Sequence, residues 1–239
     1  MNRFVLVGLR NLLRLPGAYT KLCRYAKHPE RYPEQERWNH VQKIMGWVIE
    51  TGNIDLTVSG TENIPQEGSF MLYANHQGMF DVVALAATCH RPLGAVYKKE
   101  LKNVPVLKKI LESTLSFDMD REDVRQSLTV IQNVVKEVQS GRNYLIFPEG
   151  TRSKNGNVMG EFHGGSFRAA TKAKCPIVPV AFVDSFKVLD QKGSAPVAVQ
   201  MYYLSPIPYE EYYQLKTVEL AELVKGRIAT AIEAALTEK

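Results

Sequence analysis

The sequence predicts an α/β fold with a mixed, mostly parallel sheet flanked by helices. Short apolar runs with the length of buried strands alternate with helical segments, which is typical of an α/β sandwich. The clearest helix is predicted over residues 123–140, where apolar residues recur at helical spacing and Gly141 can end the helix.

The other elements beyond residue 50 follow in chain order. Strands are predicted at residues 55–59, 70–74, 93–97, 144–147, 177–183 and 197–204, with an extended segment at 115–119. Helices are predicted at residues 80–88, 104–111, 166–174 and 217–236. Because no internal repeat or long linker divides them, these elements indicate one domain over residues 51–239.

Residues 1–50 are predicted to form an amphipathic helical hairpin, with its second helix at 33–50. The apolar N-terminal run contains Arg3, Arg10 and Arg14, and Pro16-Gly17 interrupts or ends the first helix. The run is too short for a membrane span, which needs about 20 apolar residues. It suits a helix that lies in a bilayer interface, so the hairpin is expected to associate with membranes. The alternative is an amphipathic helix packed on the domain.

The charge and cysteine content of the chain limit its partners. The 239 residues carry a net charge of +5, which favours anionic partners such as phospholipid headgroups, an acidic carrier protein or a phosphate-bearing substrate. No nucleic-acid-binding motif accompanies this charge, so nucleic acid is not an expected partner. The three widely spaced cysteines form neither a disulfide framework nor a metal signature, which favours a reducing, cytosolic environment.

Residues 75–81, with the sequence N-H-Q-G-M-F-D, directly follow the predicted strand 70–74. His76 is a candidate general base, and Asp81 is spaced to orient its ring. No candidate serine or cysteine nucleophile lies beside them, which indicates that the attacking group is a hydroxyl on the substrate. The alternatives are a structural histidine and an aspartate that caps the next helix.

Residues 147–153, with the sequence F-P-E-G-T-R-S, form a second polar turn after a predicted strand. Together the two motifs resemble the glycerolipid acyltransferase family and, within it, the 1-acyl-sn-glycerol-3-phosphate acyltransferases of bacterial type. Residues 119–121 (M-D-R) resemble the family's arginine motif, although the glycine that usually precedes it is missing. Residues 175–182 resemble the family's late proline-containing strand.

The resemblance implies a glycerol-3-phosphate acyltransferase-like fold and a reaction. The reaction moves a fatty acyl group from a thioester to the sn-2 hydroxyl of 1-acyl-sn-glycerol-3-phosphate (lysophosphatidic acid), giving phosphatidic acid for phospholipid synthesis. It implies that His76 and Asp81 are catalytic. It also implies that Arg121 and Arg152 bind the acceptor phosphate, which the arginine fork matches bidentately.

The turn that contains Glu149, Gly150 and Thr151 is implied to line the acceptor site. Glu149 then either bonds the glycerol hydroxyl or positions an arginine, because a carboxylate that faced the phosphate directly would repel it. Thr151 is a candidate hydroxyl donor to the phosphate, and Gly150 allows a close backbone approach.

The same resemblance implies the partners and the location. No metal or bound cofactor is expected, and the co-substrate is a thioester of acyl carrier protein or of coenzyme A. The protein is expected at an anionic membrane surface, peripheral or monotopic, on the cytoplasmic side of the cell membrane. The alternatives are another lysophospholipid or glycerol-3-phosphate as acceptor, a non-catalytic lipid-binding module, and a hydrolase.

Overall fold

The computed structural model describes residues 2–120 and 122–237. Within these residues, seven strands form one sheet in the order β1-β7-β6-β2-β5-β3-β4. The strands are β1 (Ile54–Ser59), β2 (Met71–Ala74), β3 (Leu93–Lys98), β4 (Phe117–Met119), β5 (Asn143–Ile146), β6 (Ile177–Val183) and β7 (Val197–Tyr203). All neighbouring pairs are parallel except β6 and β7, which are antiparallel. The predicted mixed, mostly parallel sheet is therefore confirmed.

Helices cover both faces of this sheet. They are α1 (Arg3–Arg10), α2 (Leu15–Lys27), α3 (Glu34–Thr51), α4 (Phe80–Thr88), α5 (Pro105–Ser113), α6 (Val124–Gln139), α7 (Arg168–Ala173), α8 (Phe186–Leu189), α9 (Tyr209–Tyr212) and α10 (Thr217–Thr237). The predicted helix 166–174 is a 3₁₀ turn at residues 164–167 followed by α7.

The two faces of β2 show how the core is divided. Met71 and Tyr73 pack into a cluster with α6, α7 and α10, whereas Leu72 and Ala74 pack into a second cluster with α2, α3 and α4. Successive side chains of a strand point to opposite faces, and here both faces are covered. That is why the central strands read as continuous apolar runs in the sequence.

The N-terminal region contains one helix more than the predicted hairpin. The pair α2 and α3 forms the hairpin, and α1 precedes it as a separate short helix. The break lies at residues 11–14, because Pro16 occupies the first turn of α2, where its missing N–H costs nothing. In the part of the chain that the structure describes, no helix has both the length and the apolar content to cross a bilayer.

Candidate active site

The site lies where three parallel strands end. β2 lies between β5 and β6 and is parallel to both, so their carboxyl ends reach the same edge of the sheet. The chain that leaves β2 carries His76, and the chain that leaves β5 carries Glu149. Ligands of open α/β sheets bind at this edge, beside the strand ends.

His76 and Asp81 form a hydrogen-bonded pair. The distance between His76 Nδ1 and Asp81 Oδ2 is 2.7 Å. An ionised carboxylate only accepts hydrogen bonds, so this contact assigns the proton to Nδ1 and leaves the Nε2 lone pair available as a base. The ring is stacked on Phe147, with centroids 4.0 Å apart. The structure therefore brings together the imidazole and the carboxylate that the sequence motif places five residues apart.

Asp81 is completely buried and meets four donors. Its Oδ2 accepts from His76 Nδ1, from the Gln77 amide at 2.7 Å and from the Gly78 amide at 3.0 Å. Its Oδ1 accepts from the hydroxyl of Ser185. Although Asp81 lies in the first turn of α4, its carboxylate bonds the loop before the helix, and the N-cap position belongs to Met79.

Glu149 fastens the His76 backbone to the second motif. Its Oε1 accepts from the His76 amide and its Oε2 from the Gly160 amide, both at 2.7 Å. The Ser153 amide donates to the His76 carbonyl, also at 2.7 Å. Both backbone polar groups of His76 are thus bonded to the turn that begins at Phe147. The two sequence motifs form one structural unit.

Burial raises the pKa of the Glu149 carboxyl above its ordinary value, and the hydrogen bonds from the His76 and Gly160 amides oppose that shift. Glu149 is 4% exposed. Among the described residues, both carboxylate oxygens bond backbone amides and no arginine pairs with them. This geometry favours support of the base over direct contact with an acceptor.

A cavity of about 400 Å³ opens beside the pair, between β3, β4 and β5 on one side and α6 on the other. Its apolar lining includes Val96, Met119, Val124, Leu128, Ile131 and Phe147. Phe147 also stacks on His76, so the cavity reaches the neighbourhood of the base. An apolar lining of this kind suits an alkyl chain.

The predicted substrate-binding residues have different positions around this cavity. Gly150 lines it, with a left-handed φ of 69° that allows the tight turn after Glu149. Thr151 is exposed. Arg152 is not part of the cavity wall; its guanidinium pairs with Asp190 instead. Arg121 lies outside the described residues.

Three side chains at the site were missed by sequence reasoning. Arg168 lines the cavity, and its guanidinium has no hydrogen-bond or ion-pair partner among the described residues. Asp190 accepts from the Met79 amide at 2.9 Å and pairs with Arg152. Ser185 contacts Asp81. None of the three belongs to a motif, and only the order of the strands in space brings them to the site.

Comparison with known proteins agrees with this geometry. A family model described as acyltransferase matches residues 55–183, more than half of the chain. A probable 1-acyl-sn-glycerol-3-phosphate acyltransferase of Mycoplasma pneumoniae is 25% identical, over 91% of this chain and 86% of its own length. The 1-acyl-sn-glycerol-3-phosphate acyltransferase of Saccharomyces cerevisiae is 28% identical, over 81% of this chain and 63% of its own length.

The crystal structure of the 1-acyl-sn-glycerophosphate (LPA) acyltransferase PlsC from Thermotoga maritima has the same fold. It superimposes with a TM-score of 0.71 over 82% of this chain and 79% of the other, at 21% sequence identity. The comparison by shape shows the fold, and the comparisons by sequence relate this chain to the acyltransferases named above.

Proposed function

Because this chain belongs to the acyltransferase family, we propose that it transfers a fatty acyl group from a thioester to the sn-2 hydroxyl of 1-acyl-sn-glycerol-3-phosphate, giving phosphatidic acid. The single observation that carries the mechanism is the bond between His76 Nδ1 and Asp81 Oδ2. This bond leaves the Nε2 lone pair free to take a proton from a hydroxyl of the substrate, so the mechanism needs no serine or cysteine nucleophile from the protein.

The proposed reaction is a direct attack without an acyl-enzyme. His76 Nε2 takes the proton of the acceptor hydroxyl as that oxygen attacks the thioester carbonyl. Asp81 stabilises the imidazolium that forms, as the aspartate does in a serine-protease triad. The imidazolium then returns the proton to the departing thiolate. The hydroxyl loses one proton and the thiol gains it, so the step balances.

The cavity supports a lipid acceptor or an acyl chain next to the base. Its wall is apolar along α6 and the strands, and Arg168 stands in the same wall. A guanidinium without a protein partner suits the phosphate of the acceptor. We assign Arg168 to this contact in addition to the residues that the motifs indicate, Arg152 and Arg121. Glu149, Gly150 and Thr151 then shape the turn beside the acceptor.

The acyl donor is a thioester of acyl carrier protein or of coenzyme A. It enters as a co-substrate, and the proposed chemistry requires a base, a positioned hydroxyl and the thioester, with no bound cofactor. Among the described residues, no three His, Cys, Asp or Glu side chains are grouped as ligands of a metal ion.

Within residues 1–50, the proposed membrane contact is made by α1 and the turn that follows it. Phe4, Val5 and Leu9 of α1 are about half exposed or more, and Leu13 in the following turn is 96% exposed. Arg3 is buried against backbone carbonyls, including that of Val188 at 2.8 Å, and Arg10, although exposed, donates to the Thr51 carbonyl at 2.8 Å. The polar side of α1 is thus bonded to the domain and its apolar side is open, as expected for a peripheral or monotopic protein.

Vesicle flotation tests this surface. Leu9→Asp combined with Leu13→Asp should weaken binding to vesicles that contain anionic phospholipid. These vesicles represent the cytoplasmic side of the cell membrane, where we propose that the protein binds. Val218→Asp combined with Leu236→Asp on α10, where the two side chains are 65% and 42% exposed, is the matched control because it adds the same charge far from α1 in the sequence. Equal flotation of both variants and the wild type would exclude α1 as the contact.

Acceptor-dependent thiol release tests the reaction. The protein is incubated with acyl-carrier-protein and coenzyme A thioesters, with and without lysophosphatidic acid in vesicles, and phosphatidic acid is measured. His76→Ala should lower turnover by about a hundredfold or more, whereas His90→Ala, at an exposed histidine, should not. Release without acceptor would indicate a hydrolase, and vesicle binding without release would indicate a lipid-binding module.

A further inference from the structure

The segment that follows β6 contacts the Asp81 carboxylate on the oxygen that does not face His76. Ser185 lies two residues beyond the part of the chain that the family model matches, and it is completely buried. Its hydroxyl contacts Asp81 Oδ1, the oxygen that does not face His76. From this contact we infer that Ser185 is a positioning residue for the base, an inference that rests on the proposed function.

The direction of the hydrogen bond follows from the neighbouring amide. Gln77 Nε2 donates to the Phe182 carbonyl and to Asn157 Oδ1, both at 2.9 Å. Both hydrogens of the Gln77 side-chain amide are therefore donated to these acceptors. Gln77 Oε1 accepts from the Ser185 amide at 3.0 Å and also lies 3.0 Å from the Ser185 hydroxyl oxygen. An ionised Asp81 is also only an acceptor. The hydroxyl between them can act only as a donor.

The hydroxyl has one proton and two possible acceptors. A hydrogen bond to an ionised oxygen is about twice as strong as one to a neutral oxygen. The proton therefore belongs to the bond with Asp81.

Two anchors now define the plane of the Asp81 carboxylate. The Gln77 and Gly78 amides fix Oδ2 from the loop that carries His76. Ser185 fixes Oδ1 from a different strand end. Without the second anchor the carboxylate can rotate about its Cβ–Cγ bond, which turns the lone pair of Oδ2 away from His76 Nδ1. The ring then loses its orientation, while the binding of either substrate is unaffected.

A purely packing role is the competing explanation, because Ser185 is fully buried. The two roles rank substitutions differently. Cysteine is closest to serine in shape but is a weak donor, whereas threonine adds a methyl group and keeps the hydroxyl. If Ser185 acts as a donor, Ser185→Thr is more active than Ser185→Cys. If it only fills space, the order is reversed.

The experiment measures kcat and KM of the full chain for each variant. Ser185→Ala and Ser185→Cys should lower kcat about tenfold, since an orienting bond contributes less than the base itself. KM for both substrates should stay within about twofold of wild type, and Ser185→Thr should recover most of kcat. Ser113→Ala is the matched control, because Ser113 is also fully buried and donates to a backbone carbonyl, that of Ile110.

A second measurement does not depend on activity. In the wild type, the proton between His76 Nδ1 and Asp81 should give a downfield proton NMR signal that His76→Ala removes. Ser185→Ala and Ser185→Cys should broaden or shift this signal, and Ser185→Thr should keep it. An unchanged signal and an unchanged kcat in Ser185→Ala overturn the inference, as does a Cys variant more active than the Thr variant. A wild type without acyl transfer would contradict the proposed function, while the signal would still test Ser185.

Discussion

Replacing Glu149 with glutamine should impair the base although the side chain keeps its size. Each carboxylate oxygen of Glu149 accepts a backbone N–H, one from His76 and one from Gly160. A glutamine has one oxygen and one NH₂ group, so one of these two amides must face a donor. The side chain is 4% exposed, and water therefore has little access to repair the lost bond. Leaving a buried donor unsatisfied costs about 1–3 kcal/mol.

If that loss falls on the position of His76, turnover should decrease by about 5- to 150-fold, since about 1.4 kcal/mol corresponds to a factor of ten. The free energy of unfolding should change less. Burial of the charged carboxylate is unfavourable and raises the pKa of Glu149, and a neutral amide removes that part of the cost. Thiol release and urea unfolding, measured on the same preparation, separate the two effects.

The pH dependence of stability provides the check on this reasoning. Because the folded protein holds the Glu149 proton more tightly than the unfolded chain does, the carboxyl favours folding when it is protonated and ceases to do so as pH rises through its raised pKa. Glu149→Gln has no carboxyl at this position, so its stability does not decrease in this way as the pH rises. The free energy of unfolding of Glu149→Gln should therefore rise relative to that of the wild type as the pH increases above about 4.3, the ordinary pKa of a Glu carboxyl. A constant difference across that range, or full turnover in the variant, would refute the argument.

Two further predictions concern cations at the site. Arg168→Gln should raise KM for the acceptor about tenfold with kcat nearly unchanged, because a uniform binding contact is lost; the neighbouring Lys172→Gln on α7 is the control, and an equal effect of both would exclude a specific contact. Asp190→Asn should release Arg152 and lower KM for the phosphate-bearing acceptor, with a stability loss of at most about 1 kcal/mol because Arg152 is half exposed. An unchanged KM would mean that Arg152 does not reach the acceptor.

Much of the fold was predictable because its signals are local. Helix α4 and strand β6 lie where the sequence places them, since residues within one element determine the period of its apolar pattern. The direction of β7 was not predictable. Its apolar pattern is the same for either orientation, and only its pairing with β1 and β6 reveals which neighbour is antiparallel.

In the candidate site, too, contacts between residues close in the sequence were predictable and contacts between distant residues were not. The contact between His76 and Asp81 spans five residues and forms within one loop and the first turn of α4, so spacing alone predicts it. The pair between Arg152 and Asp190 spans 38 residues, and no sequence pattern predicts it. Ser185 lies 104 residues from Asp81. Such contacts depend on strand order, which no motif contains.

The attachment of His76 to the second motif affects how variants in that motif should be interpreted. The backbone N–H and C=O of His76 are bonded to Glu149 and Ser153, at the two ends of the turn that also contains Gly150 and Arg152. A substitution that moves this turn moves the base with it. Loss of an acceptor contact there should then change kcat and KM together, whereas loss of a contact made only to the substrate changes KM alone. Arg168, which stands outside the turn on the cavity wall, is therefore the cleaner position at which to measure acceptor binding.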